Sequence, residues 1–163
     1  MPPKPSAGIL LYRRRAALVE VLLVHPGGPF WSKKDDGGWF LPKGELEADE
    51  DPLTAALREF REELGAAPPT GQPLSLGSVK NKSGKLICAW ALEGDFEPST
   101  LHSNTFSVEW PPRSGKLRDF PEVDRAAFFS FEVGAIKIHS AELPFLGRLE
   151  SALSLAALGS AIT

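Results

Sequence analysis

The stretch GELEADEDPLTAALREFREELGA, residues 44–66, crowds carboxylates into a short segment bounded by glycines. Its local chemistry is that of a helix. Asp51-Pro52 makes a strong start, since an aspartate caps free backbone amides and proline is pre-shaped for the first helical position. Gly65 is the expected stop, because helices commonly end on a residue in the left-handed region. At about 100° per residue, Leu53, Ala56, Leu57, Phe60 and Leu64 form one apolar stripe that must face a core. Glu59, Glu62 and Glu63 stand at i, i+3 and i+4 and share a second face. Like charges at those spacings weaken a helix by about a few tenths of a kcal/mol per pair. Something must offset them.

Water and salt would do so on a merely solvated face. A divalent cation is the sharper reading, because carboxylate oxygens are hard ligands suited to Mg²⁺ or Mn²⁺. A calcium-binding EF-hand loop does not fit. The run DEDPLTAALREFRE (49–62) lacks its alternating Asp/Asn ligands and central glycine.

Outward from the helix, WFLP (39–42) reads as a short strand leading into the acidic segment. Before it, HPGGPFWSKKDDGG (25–38) is too rich in Gly, Pro and Asp for strand or helix, and loops that long are usually functional. SAGILLY (6–12), VEVLLVH (19–25), LSLGSVK (74–80), KLICAWAL (85–92), TFSVEW (105–110) and RAAFFS (125–130) read as strands. Helices are expected near 131–137 and over 141–157, the latter from its leucine spacing. Strands and helices that do not alternate regularly point to an α+β or mixed-sheet domain rather than a doubly wound one. With no repeat or linker, the expectation is a single domain over residues 1–163.

The bulk composition is ordinary: 163 residues, 42% hydrophobic, 24% charged, net charge −3. That balance argues against disorder and against binding of polymeric nucleic acid. Arg13-Arg14-Arg15 is read as the solvated turn of a hairpin, and the lone Cys88 as a small buried hydrophobe in a chain without intrachain disulfides. The start MPPKPSAG lacks the apolar stretch of a secretion signal, and the apolar tail SALSLAALGSAIT is shorter than the roughly 20 residues a membrane span needs. A soluble, cytoplasmic protein is expected. The C-terminal helix could pack on its own domain or against a second copy in a homodimer.

The spacing in 44–66 then decides the matter. Gly44, five residues, Glu50, seven residues, Arg58-Glu59-Phe60, one residue, Glu62-Glu63, one residue and Gly65-Ala66 resembles the signature of the Nudix hydrolases, G-x5-E-x7-R-E-U-x-E-E-x-G-U with U aliphatic. All the fixed positions match, and only Phe60 and Ala66 depart from the pattern, at U positions. The resemblance implies a Nudix fold, a mixed β-sheet between α-helices. It implies Mg²⁺- or Mn²⁺-dependent attack of water on a diphosphate linkage in a nucleoside diphosphate–X substrate. Glu62 and Glu63 would be the main metal ligands, Glu59 a further ligand or the base, and Gly44 a carbonyl ligand. Arg58 and Glu50 would pair to hold the loop on the helix.

Many members of that family add a carboxylate ahead of a late strand. In FPEVDRAAFF (120–129) that is Glu122, as metal ligand or base, unless it is a surface ion pair; Glu109 in SVEWPPRSG (107–115) is the alternative. Lys43, in LPKG (41–44), resembles the lead-in of the diadenosine-polyphosphate hydrolase branch and would sit beside the phosphates. Trp110, Arg113 and Lys116 could stack a base and hold a phosphate tail, and Phe30, Trp31 and Trp39 are the other candidate platforms, each with a core or hinge role as its alternative. These features favour an NTP or a dinucleoside polyphosphate over ADP-ribose or another nucleotide sugar. A non-catalytic nucleotide sensor is less favoured, because no motif glutamate is missing. His25 and His139 are read as structural, and His102 as a loop residue.

Overall fold

The computed structural model describes residues 3–162. Its main sheet is mixed and centred on β1 (Ser6–Arg15). That strand is buried from Ser6 to Tyr12 because both of its faces are covered there. Ala7, Ile9 and Leu11 enter one core, and Leu10 and Tyr12 the other. β5 (Leu86–Glu93) pairs with β1 in parallel, and β4 (Leu74–Lys80) pairs antiparallel with β5. On the other edge β2 (Leu18–Pro26) pairs antiparallel with β1, and β8 (Val123–Ser130) with β2.

β1 and β2 pair over Tyr12–Arg15, next to the hairpin turn. Farther from the turn the segment before β3 (Lys43–Glu45) enters between them. Phe40 exchanges N–H and C=O bonds with Val24, and Pro42 C=O accepts from Ile9 N–H. β3 itself pairs with Ser6–Gly8. This wedge sets the acidic motif down at a fork between two strands.

α1 (Pro52–Leu64) covers one face and buries Ala55, Ala56, Phe60 and Leu64, with Leu53 and Leu57 at the margin. Its ends are as the sequence requires. Asp51 accepts from Thr54 N–H, and Gly65, at φ 74°, donates to Arg61 C=O. α2 (Phe131–Lys137) and α3 (Leu143–Ile162) cover the opposite face. α3 buries Phe145, Leu146 and Leu149, and Arg148 donates to the carbonyls of Leu76 and Ser78 where β4 bulges, both at 2.9 Å. The start of α3 therefore packs on its own sheet, while Leu155 is 69% exposed. Among the described residues no helix is long and apolar enough to cross a membrane.

Several expectations need correction. Within residues 39–42, Trp39 and Phe40 form isolated bridges rather than a strand, and the ladder begins at Lys43. Pro42 has no N–H to give a ladder. Trp39, at the start of that run, is buried in the core. Residues 105–121 form a ribbon, β6 (Thr105–Glu109) with β7 (Leu117–Pro121). β7 escaped sequence reading because LRDFP has no apolar–polar alternation, whereas its partner TFSVE does. Arg13-Arg14-Arg15 ends β1, and Ala16-Ala17 makes the turn. Arg13 binds Glu20 at 2.9 Å and Asp95 at 2.8 Å. Cys88 is only partly buried.

Candidate active site

Arg58 is the hub of the acidic helix. Its Nε and Nη2 donate to the two oxygens of Glu50, both at 2.8 Å, and Nη2 also reaches Glu45 C=O at 3.1 Å. Nη1 donates to Glu59 at 2.8 Å and to Glu62 at 3.1 Å. An arginine has five N–H donors, and these bonds engage them all. The contact with Glu50 alone was expected from sequence. The bonds to Glu59 and Glu62 are additional, and they offset the repulsion along that helix face. Hydrogen bonding to Arg58, and then the backbone N–H of Glu47, hold Glu50 at about 2.

Glu63 points the other way, into a cleft of about 190 Å³ lined by Lys43, Glu122, Trp31, Phe40 and Val24 among others. It accepts from Lys43 N–H at 3.2 Å. Loss of water in the cleft pushes Glu63 up to about 8; Glu59 and Glu122 push the same way, against Lys43. Glu59 is raised by burial and by Glu62 and Glu122, against Arg58. Glu122, at the cleft rim, is raised by partial loss of water and then by Glu62. Gly44 has a steric reason to be glycine, since a Cβ there would overlap the Glu59 carboxylate.

These donors fit a hard divalent cation. They are carboxylate oxygens, of Glu59, Glu62 and Glu63 on α1 and of Glu122 just ahead of β8. Glu59, Glu63 and Glu122 are held above their ordinary range by lost water and mutual repulsion, which a cation would relieve. Among the described residues no three acidic or histidine side chains already converge as a cation site. Glu59 and Glu62 are turned onto Arg58 instead.

The other candidates separate. Lys43 and Glu122 line the cleft, and Glu109 lies exposed on β6 and is absent from its walls. Trp110, Arg113 and Lys116 belong to the exposed β6–β7 end and are likewise not cleft walls; Trp110 packs edge-on to Phe30. Trp39 is core, packed against His25 and Phe129. The aromatic walls are Trp31 and Phe40, edge to face at 5.2 Å. Phe40 was missed because its place in WFLP reads only as a strand residue.

His25 is structural. It is fully buried, with Nδ1 2.8 Å from Asp124 and Nε2 2.6 Å from Lys34 C=O, and it ties the 27–38 loop to β8. His139 stacks on Phe40. Glu142 was also missed: it is buried and bound to Lys43. In AELPFLGRL it reads as a first-turn charge, and no local signal ties it to the site.

Fold and site together define a protein with an acidic helix face beside a cleft walled by carboxylates, a lysine and aromatic rings. The chain belongs to the NUDIX domain family, whose model matches residues 2–148. A segment of 39 residues is 54% identical to an RNA pyrophosphohydrolase of Gluconacetobacter diazotrophicus, covering 24% of this chain and 21% of that protein. A 66-residue segment is 35% identical to an RNA pyrophosphohydrolase of Xylella fastidiosa, covering 40% of this chain and 29% of that protein. The matches therefore span less than a third of the length of these curated relatives. Among solved structures, a C. elegans Ap4A hydrolase binary complex superposes with a TM-score of 0.65 at 20% identity, over 93% of this chain and 98% of that one. The NUDIX domain of Shewanella oneidensis NrtR, complexed with ADP ribose, gives 0.62 at 16% identity over 94% and 90%. The Nudix fold, a mixed sheet between helices, is thereby shown.

Proposed function

We propose that this protein is a pyrophosphohydrolase that cleaves a diphosphate linkage in a nucleoside diphosphate–X substrate, with an NTP or a dinucleoside polyphosphate favoured. The observation that carries this reading is the cleft, in which Glu63 and Glu122, the Lys43 ammonium and the aromatic pair Trp31–Phe40 line one space. Acid, cation and stacking surface are what an anionic nucleotide needs.

Glu59, Glu62, Glu63, Glu122 and the Gly44 carbonyl are the groups that would hold Mg²⁺ or Mn²⁺. The cation would supply Lewis acidity toward phosphoryl oxygens and toward water. The chain's own residues do the rest. Lys43 faces the phosphates, and Trp31 and Phe40 wall the cleft against bulk water. Glu59 or Glu122, both with raised affinity for protons, accepts the proton that the attacking water releases. Arg58, braced on Glu50, holds the Glu59 and Glu62 carboxylates in place.

The similarity to RNA pyrophosphohydrolases favours a second reading, in which the phosphate chain sits on an RNA 5′ end. The exposed Arg113, Lys116 and Arg118 would then track the following nucleotides. The test is a turnover panel of ATP, a dinucleoside tetraphosphate, ADP-ribose and a 5′-triphosphorylated oligoribonucleotide, each with and without Mg²⁺. Cleavage of polyphosphate substrates only when metal is present is expected. Turnover of ADP-sugars alone would remove the polyphosphate preference, and tight binding without turnover would make the chain a nucleotide sensor.

A further inference from the structure

Glu142 stands immediately before α3, 1% exposed, beside the core that contains Leu41 and Phe145. One of its oxygens accepts from Leu41 N–H at 3.0 Å, and the other binds Lys43 Nζ at 2.8 Å. Both partners lie on the segment wedged between β1 and β2, and Lys43 N–H in turn donates to Glu63. A buried carboxylate is unfavourable unless it is paired. A neutral oxygen would satisfy the Leu41 amide equally well. The negative charge therefore answers to Lys43.

An ammonium carries three N–H donors. For Lys43, one goes to Glu142, and the Phe40 ring centroid lies 4.4 Å from the nitrogen. A donor remains for the cleft. Without Glu142 the long, flexible side chain would be drawn to the carboxylates that share the cleft with it, Glu63 and Glu122. There it would compete with a cation for the same oxygens.

We propose that Glu142 is a positioning residue, acting from the foot of α3. It fixes the Lys43 ammonium where a substrate phosphate arrives and keeps it off the acidic groups. The proposal rests on the pyrophosphohydrolase reading above. It makes the polypeptide beyond β8 part of the site, through one ion pair.

The experiment is a double-mutant cycle with E142Q and K43M, assayed on the best substrate of the panel. E142Q keeps the shape and the acceptor for Leu41. It should lower kcat about tenfold and raise the Mg²⁺ concentration for half-activity several-fold, since misplacing one group by an ångström has effects of this size or larger. In the K43M background E142Q should change kcat by less than about twofold. Equal losses in both backgrounds, or no loss in the wild type, would overturn the proposal, because a merely structural glutamate acts regardless of Lys43.

A second measurement needs neither turnover nor a folded E142Q. In wild-type protein labelled with ¹⁵N-lysine, the bound Lys43 ammonium should give a slowly exchanging NMR signal, absent in K43M, that moves on addition of inorganic pyrophosphate with Mg²⁺. A missing signal, or one that pyrophosphate leaves in place, contradicts it. Absence of wild-type turnover on every substrate is a separate outcome, which removes the enzymatic reading and leaves the NMR result to stand or fall by itself.

Discussion

The α1 face and the β6–β7 ribbon both present charges, and the sequence marks the first as a candidate for metal binding and the second for substrate contact. On α1 the charges are interlocked. Arg58 spends its donors on Glu50, Glu59, Glu62 and a backbone carbonyl, and Glu63 is turned into the cleft against Lys43. On the ribbon Arg113 and Lys116 are exposed and form no ion pair among the described residues, and the Trp110 ring packs edge-on to Phe30, itself 62% exposed. The difference is one of preorganisation. Groups already fixed and shielded from water act on a developing charge without reorganising. Exposed side chains on a two-stranded ribbon contribute screened, mobile charge.

Substitutions can break or sharpen that contrast. The largest effect is expected on α1: Glu62→Gln should lower turnover about 10²- to 10⁴-fold while the circular dichroism spectrum stays unchanged. The same change removes the like-charge repulsion between Glu62 and Glu59 but also the ion pair that Arg58 makes with Glu62 at 3.1 Å, so melting should change little. Full activity in that variant would remove Glu62 from the chemistry. Arg58→Ala comes next and should damage both properties, because it strands Glu50 and releases Glu59. A loss of about 2 kcal/mol, or roughly 5 °C in melting temperature for a chain of this size, is expected with about a tenfold drop in kcat. A purely kinetic loss would contradict the bracing role.

The Glu50–Arg58 pair also predicts a pH signature. Glu50 is held at about 2, below its ordinary 4.5, so its contribution to stability is complete above 4.5 and disappears as pH falls toward 2. Melting curves from pH 6 to 2.5 should therefore show a shallower acid decline for Glu50→Gln than for the wild type. Parallel declines would mean that the pair does not stabilise the folded state. The smallest effect belongs to the ribbon. Trp110→Ala should raise KM for a nucleotide about two- to fivefold, with kcat and melting unchanged. A large kcat loss there would erase the distinction between the two regions.

The legibility of the molecule follows the same division. α1 could be read in full because its signals are local. Asp51, Pro52 and Gly65 act within a turn of the helix ends, and Leu64, Phe60 and Ala56 repeat at the helical period. The Glu50–Arg58 contact spans eight residues across a single loop-to-helix join. β7 was illegible because LRDFP buries no alternate face, unlike its partner β6. The 39–42 segment misled because apolar residues before a proline resemble a strand whether they pair along it or merely bridge two neighbours.

Local chemistry alone thus settled where the acidic helix lies, which of its faces is buried and which carries the glutamates. Those are consequences of backbone geometry and of charge repulsion over a few residues. What surrounds that helix was decided only when distant segments met. The cleft walls Trp31, Phe40 and Glu122 come from three separate stretches, and Glu142 reaches the Leu41 amide across 101 positions. No periodicity carries such a pairing, because the partner of a buried charge is chosen by the packing of the sheet and not by the residues beside it in the chain.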